Sequence, residues 1–359
     1  MVPVADDVLN RSSLHDTPHA MRASVEAPDG AKAQLAATVA ALRRPASYPN
    51  EVARVETIET HMSWLFLTEA HAYKLKKPIR TATLDYTTVE ARRRGCETEL
   101  ALNRRLAPAV YLAVVPLVIS GSSARVEGPG APTDWLVKMR RLPRDRMLDA
   151  YIERRSFDRA DVDRLAATLS RFYSAAERAP SDGPAYRRGI ASDIASKGAS
   201  VAQERYGLPA ADIRAAVAGQ ERWLAWHGEL LEARGAHVVD AHGDLRPEHI
   251  CLEDAEPVVI DCLEFSRPLR LLDSLSELSF LALECRRLGA AWIGEQLIAA
   301  CAERMGDHAP APLVPFYQSY HALVRAAVAI WHLDDEALDH SDAWRERGSW
   351  YLRAARELV

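Results

Sequence analysis

The segment His242-Gly243-Asp244-Leu245-Arg246-Pro247-Glu248-His249-Ile250 puts a carboxylate, a guanidinium and an imidazole within six residues. A second carboxylate, Asp261, follows the first by seventeen positions and closes the apolar run Val258-Val259-Ile260. Phosphoryl transfer asks for this kind of equipment. The transferred phosphate must be positioned, its charge neutralised and the acceptor hydroxyl oriented, with little covalent work left to the protein. A loop aspartate at the hydroxyl, followed by metal-binding side chains, meets those needs. In the kinase catalytic loop a metal ligand stands five residues after the aspartate; here that residue is His249. The same side chains allow another reading, a metal cluster of His242, Asp244, His249 and Asp261 that hydrolyses phosphoesters without a nucleotide.

Such a loop needs a cation for the phosphates. The chain carries six lysines against 39 arginines, and three of the six are Lys74, Lys76 and Lys77. Where arginine is the default, a retained lysine points to a need for a compact point charge. Ala72-Tyr73-Lys74 places Lys74 like the lysine of a V-A-I-K strand, and Lys76 shares its strand face as the fallback. A solvated edge strand is the bland alternative. Glu99 is the expected helix partner, since it precedes Leu106 by seven residues and so shares its face. Glu97, two residues away, lies on the opposed face. The turn Glu59-Thr60-His61-Met62-Ser63 stands where kinases place a glycine-rich loop. Thr60 and Ser63 are candidates for phosphate contact there, with an ordinary hairpin as the alternative. Neither GxGxxG nor GxxxxGK[ST] occurs, which excludes a P-loop.

The elements that must hold these residues follow from periodicity. A helix is expected over 31–42. Alternating segments over 52–58 and 70–76, with the apolar run 64–67 between them, read as a β-meander. A helix over 87–106 is capped by Thr87 or Thr88 and stopped before Pro108. Two more strands, 111–119 and 135–139, flank a Gly/Pro/Ser-rich hairpin. From 145 onward the pattern is mostly helical, with amphipathic stretches at 160–178 and 210–234. Short strands resume near 237–239, 250–252 and 257–260. The expected fold class is therefore α+β, bilobal, with a small and mostly antiparallel sheet lobe and a larger helical lobe. The expected division is a flexible arm over 1–29, a nucleotide-binding lobe over 30–142, and a lobe over 143–359 carrying the catalytic loop and substrate-binding helices.

Composition excludes several classes. A net charge of −5 argues against a nucleic-acid binder and suits cationic or neutral substrates. Five cysteines, an odd number with no CxxC pair, argue against a disulfide framework or a zinc knuckle. No apolar run suits a signal peptide or a membrane span, so a cytoplasmic protein without a membrane partner is expected.

The catalytic segment with Ile260-Asp261-Cys262-Leu263-Glu264-Phe265 resembles the aminoglycoside phosphotransferase family of kinase-like enzymes. Within it, the chain looks like a branch of bacterial phosphotransferases with an aspartate–cysteine motif. Ile58-Glu-Thr-His61, Tyr73-Lys-Leu-Lys-Lys-Pro78, Asn103-Arg-Arg-Leu-Ala-Pro108 and Phe316-Tyr-Gln-Ser-Tyr320 extend the likeness over residues 50–330. The resemblance implies a protein-kinase-like fold and transfer of the γ-phosphate of ATP to a hydroxyl of a small molecule. It implies that Asp244 orients that hydroxyl, that Asp261 binds magnesium, and that Lys74 with Glu99 fixes the phosphates. It makes Met139 and Arg140 the hinge that meets adenine through backbone groups. Arg246 stands where it can reach the γ-phosphate or pair with a carboxylate. His249 departs from the family, which has asparagine there. As a ligand it would favour manganese; as a structural residue it would bond the loop backbone. Asp273 and Arg270 are expected to stiffen the segment after Asp261. A nucleotide-binding pseudokinase that regulates a partner is the alternative function.

Overall fold

Helix α1 (Asp29–Leu42) is followed by three alternating strands, β1 (Glu56–Glu59), β2 (Ser63–Leu67) and β3 (His71–Lys76). The computed structural model that contains them describes residues 29–81, 84–334 and 341–359. The arm expected over 1–29 lies, apart from Asp29, outside the described residues. Successive strand side chains point to opposite faces. In β3 this sends Tyr73 and Leu75 into an apolar cluster with Val39 and Leu42 of α1 and Phe66 of β2. Lys74 and Lys76 are left on the other face, where they meet α2 (Val89–Asn103). Thr88 caps α2 by accepting a hydrogen bond from the Ala91 N–H at 3.1 Å, and Glu90 sits in the first turn, where the helix dipole favours an acid.

Three more strands, β4 (Tyr111–Ser120), β5 (Ser123–Val126) and β6 (Asp134–Arg140), complete a six-stranded antiparallel sheet in the order β1-β2-β3-β6-β4-β5. Strand β5 was not foreseen. It lies inside the expected hairpin, where flanking Gly, Pro and Ser residues hide the short Ser-Ala-Arg-Val alternation. Central β6 lies between β3 and β4, which brings Met139 level with Ala72 and Tyr111.

The chain divides into two compact units. The first holds these elements and also Val258–Ser266, a segment that sequence continuity alone would assign to the helical part. Its anchoring bonds show why it belongs there. The Asp261 N–H donates to the Tyr111 hydroxyl at 3.1 Å, and the Cys262 N–H to the Asn103 side-chain oxygen at 2.8 Å.

The second unit is mostly helical: α3 (Leu148–Arg154), α4 (Arg159–Ala175), α5 (Gly183–Val201) and α6 (Ala210–Ala233), then, after the loop that carries Asp244, α7 (Arg267–Arg270), α8 (Ser274–Arg287), α9 (Ala291–Met305), α10 (Leu313–Trp331) and α11 (Ser341–Leu358). Trp223 of α6 stacks on Phe316 of α10 at 3.8 Å within the main apolar cluster. Strand β7 (Val238–Asp240) precedes the loop, β8 (Ile250–Cys251) follows it, β9 (Val258–Val259) opens the segment given to the first unit, and β10 (Leu271–Asp273) pairs antiparallel with β7. The β7–β10 pair fixes where the loop leaves the framework. No helix among the described residues is long and apolar enough to cross a membrane.

Candidate functional site

In the first unit the sheet and α2 assemble a ladder of alternating charge. The Lys74 ammonium donates to Glu99 Oε1 at 2.8 Å and to Asp261 Oδ1 at 2.9 Å. The Lys76 ammonium donates to Glu99 Oε2 at 2.7 Å and to Glu264 Oε1 at 2.5 Å. Both lysines expected as phosphate candidates therefore reach the same glutamate. Lys74 lies beside Asp261, whose side chain is 25% exposed, while Lys76 is fully buried. Glu97, the alternative helix acid, points outward and pairs with Arg93 at 3.0 Å.

Electrostatics sustain these charges. Burial works against the Lys74 ammonium, but Asp261, Glu99 and Glu264 together hold its pKa well above the usual lysine range. Burial likewise opposes ionisation of Glu264, and Lys76 and Lys74 overcome it and hold its carboxyl below the usual range. Asp261 has φ +65°, in the left-handed region. Aspartate tolerates that region better than most residues, but it remains strained backbone of the kind that clusters at functional sites.

A cavity of about 710 Å³, counting its open mouth, is lined by the turn Thr60–Ser63, Leu65, Lys74, Tyr111, Met139 and residues 260–265. Within the turn the Thr60 hydroxyl accepts the Ser63 N–H at 3.0 Å and donates to its carbonyl at 3.0 Å, which closes an ordinary tight hairpin at the cavity wall. Met139 faces this cavity, whereas Arg140 is not among the lining residues. The Arg140 N–H is spent on the Val110 carbonyl at 2.9 Å, so the expected hinge contact through that donor has no support in the geometry.

The second unit holds the loop. Asp244 Oδ2 accepts from Arg246 Nε at 3.1 Å, and Arg246 is fully buried. Of the two roles foreseen for Arg246, this geometry matches pairing with a carboxylate. His249 is also buried, with Nδ1 at 2.9 Å from the Asp244 carbonyl and Nε2 at 2.9 Å from the Arg246 guanidinium. A guanidinium can only donate, so Nε2 accepts and Nδ1 carries the proton given to the carbonyl. The imidazole lone pair is thereby engaged, as in the structural alternative. Gly243, at φ +88°, makes the sharp turn before Asp244.

Several supporting residues were not foreseen. Buried Glu277 of α8 accepts the backbone N–H of His242 at 3.1 Å and of Gly243 at 2.5 Å, and the Tyr173 hydroxyl at 2.8 Å. The available signal is an acid in the leucine-rich stretch 271–283. Glu264 belongs to the Ile260–Phe265 motif, whose pattern gives it no role. Asp273, expected to stiffen the chain, caps α8 and pairs at 2.8 and 2.6 Å with Arg234, while Arg270 pairs with Asp240 at 2.8 Å.

Structural comparison finds a choline/ethanolamine kinase family protein of Mesorhizobium loti at a TM-score of 0.50 and 13% identity, over 90% of this chain and 99% of that one. A choline kinase of Cryptosporidium parvum Iowa II matches at a TM-score of 0.50 and 9% identity, over 91% and 96%. The fold is kinase-like. At these identities the likeness concerns architecture alone: the antiparallel sheet and α2 of the first unit, and the helices of the second, are those of a kinase-like α+β fold. In sequence, the chain is 32% identical over 289 residues to an uncharacterised protein of Mycobacterium tuberculosis strain H37Rv and to one of Mycobacterium bovis. The match covers 76% of this chain and 54% of each relative, so the chain spans about half their length. No family model matches it.

Proposed function

We propose that this protein is an ATP-dependent phosphotransferase that moves the γ-phosphate to a hydroxyl of a small molecule. The observation that carries the reading is Lys74, held between Glu99 and Asp261 at the wall of a cavity within a kinase-like fold. A strand lysine paired with a helix glutamate is the arrangement that fixes nucleotide phosphates in kinases. Lys74 then binds phosphate oxygens and Glu99 orients it. Met139, Ile260, Leu263 and Phe265 take the base. In the second unit Asp244 orients the acceptor hydroxyl and accepts its proton, with Arg246 holding its Oδ2 in place.

Asp261 fits a divalent cation: it is a hard oxygen donor, partly exposed at the cavity. Magnesium bound there would neutralise the phosphate oxygens. His249 does not fit the metal, because its Nε2 lone pair faces the Arg246 guanidinium and a cation there would meet that positive charge. The manganese preference tied to His249 loses its basis with it.

A thermal-shift panel of ATP, GTP and ADP with magnesium or manganese tests the nucleotide site. ATP with magnesium should raise the melting temperature, and absence of a shift with every nucleotide and both metals would remove the main support. A second reading, a nucleotide-binding regulatory protein, draws on the loss of His249 as a ligand. An acceptor screen decides between them. It should include aminoglycosides, on the sequence resemblance, and choline and ethanolamine, on the fold. Phosphorylated product from any acceptor excludes the regulatory reading.

A further inference from the structure

Lys76 and Glu264 have no task in the transfer just described, yet they are among the most deeply buried charges of the first unit. The Lys76 side chain is fully buried and Glu264 is 10% exposed. Burying an ammonium is costly unless it is fully paired, and here every approach to it is organised. Glu99 and Glu264 each accept from it, at 2.7 and 2.5 Å, and the Tyr86 ring lies 5.2 Å from it as a cation–π surface. Tyr86 itself packs so tightly on α2 that a Cβ at Gly95 would come within 2.6 Å of its ring. The arrangement therefore needs glycine at that point of the helix. Burial disfavours the Lys76 charge, but Glu264 and Glu99 hold its pKa well above the usual range.

The consequence falls on Glu99. A glutamate bonded to one lysine can rotate about its side chain and let go. Glu99 is bonded at both oxygens, Oε1 to Lys74 and Oε2 to Lys76, so turning either way breaks a buried bond. Lys74 now shares itself between Glu99 and Asp261. When phosphate draws Lys74 from Asp261, Lys76 still holds Glu99 from behind. Glu264 closes the device because it lies three residues after Asp261 on the same segment.

We propose that Lys76 and Glu264 are positioning residues that lock Glu99, and through it Lys74, in the phosphate-binding arrangement. The lock makes α2 a fixed part of the nucleotide site. This inference rests on the nucleotide reading above.

The test is isothermal titration calorimetry on the full chain with ATP–magnesium and, separately, with adenosine, which carries no phosphate. Lys76→Met and Glu264→Gln should each weaken ATP by roughly tenfold while adenosine changes by less than about twofold, the scale seen when an outer partner of a binding group is removed. In a Lys74→Met background, Lys76→Met should cause no further loss of ATP affinity, since nothing remains to be positioned. Glu264→Gln keeps the side-chain volume and carries the test if Lys76→Met does not fold. Equal losses for ATP and adenosine, or none for either, would overturn the proposal and leave an ion pair that only supports the fold. An undiminished effect of Lys76→Met beside Lys74→Met would overturn it as well. A wild-type chain that binds neither ligand would bring down the nucleotide reading itself, and this inference with it.

Discussion

Each unit contains a buried charge cluster, and the two clusters use different cations. The first unit relies on lysine: Lys74 and Lys76 alternate with Asp261, Glu99 and Glu264. The second relies on arginine. Arg234 spreads its fork over Asp273 and Asp307, with four contacts of 2.6 to 2.8 Å, and Arg246 holds Asp244. An ammonium is a point charge that can exchange one anion for another by turning on a flexible stem. A guanidinium is a planar fork that pairs in one geometry. In a chain with 39 arginines and six lysines, Lys74 stands where the proposed phosphate would compete for the cation, and Arg234 and Arg246 stand where the framework stays put. The carboxylates follow suit: Asp261 reaches the cavity, while Asp273 is fully buried and also caps α8.

The largest expected effect is Asp244→Asn, which removes the proposed proton acceptor. Product formation with an acceptor found by screening should fall by up to roughly 10⁴-fold, with ATP affinity unchanged. Loss of ATP affinity to the same extent would mean that Asp244 belongs to the nucleotide site. Next is the arginine lock. Arg234→Met leaves Asp273 and Asp307 facing each other without their cation and should cost about 4 kcal/mol in urea denaturation. A cost below about 1 kcal/mol would rank it with surface pairs.

Acid should then separate the two clusters. Burial lowers the His321 pKa to about 4, and Arg325 adds to the shift against an opposing hydrogen bond from Ser276. The unfolded chain takes up that proton near pH 6.5 and the folded chain only near 4. Stability of the second unit is therefore lost as pH falls through this window, by on the order of 3 kcal/mol in total. Lys74 and Lys76 keep their charge there, because both titrate above the usual lysine range, and together they hold the Glu264 carboxyl below the usual carboxylate range. Hydrogen exchange at pH 7 and pH 4.5 should show amides of α8 and α10 opening before those of β3 and α2. The reverse order would contradict the assignment.

Smaller again, Lys74→Met should weaken ATP by about 2 kcal/mol, the worth of a hydrogen bond to a charged group. The smallest change is expected for His249→Ala. Magnesium affinity in the ATP complex should move by less than about twofold, because a ring nitrogen that accepts from arginine is not a ligand. A loss of roughly tenfold or more, as for removal of a ligand or its support, would restore His249 to the metal site.

Much of the frame could be read along the chain. The alternation of β3, the Thr88 cap and the stop before Pro108 are local signals, and β2, β3, β4, β6 and α2 appear where those signals put them, while β1 begins only at Glu56, late in the expected 52–58. Glu99 could be chosen over Glu97 because helical phase is a property of sequence spacing. Local signals failed where a partner came from far away. Strand β5 exists because β4 offers it an edge, and a four-residue alternation among turn residues does not announce that. Glu277 and Tyr173 are separated from the loop that they hold by tens of residues, and nothing in their neighbours names the backbone groups they bind.

Reading along the chain names the groups able to do chemistry: a loop with Asp244, Arg246 and His249, an acid ending an apolar run, and lysines retained on one strand face. These follow from residue type and period, which are local. How their bonds are shared comes from the fold. It divided Glu99 between two lysines, gave Glu264 a partner, and tied the His249 lone pair to Arg246. Which donor meets which acceptor depends on distances of a few tenths of an ångström between elements remote in sequence, and spacing along one chain does not contain that information.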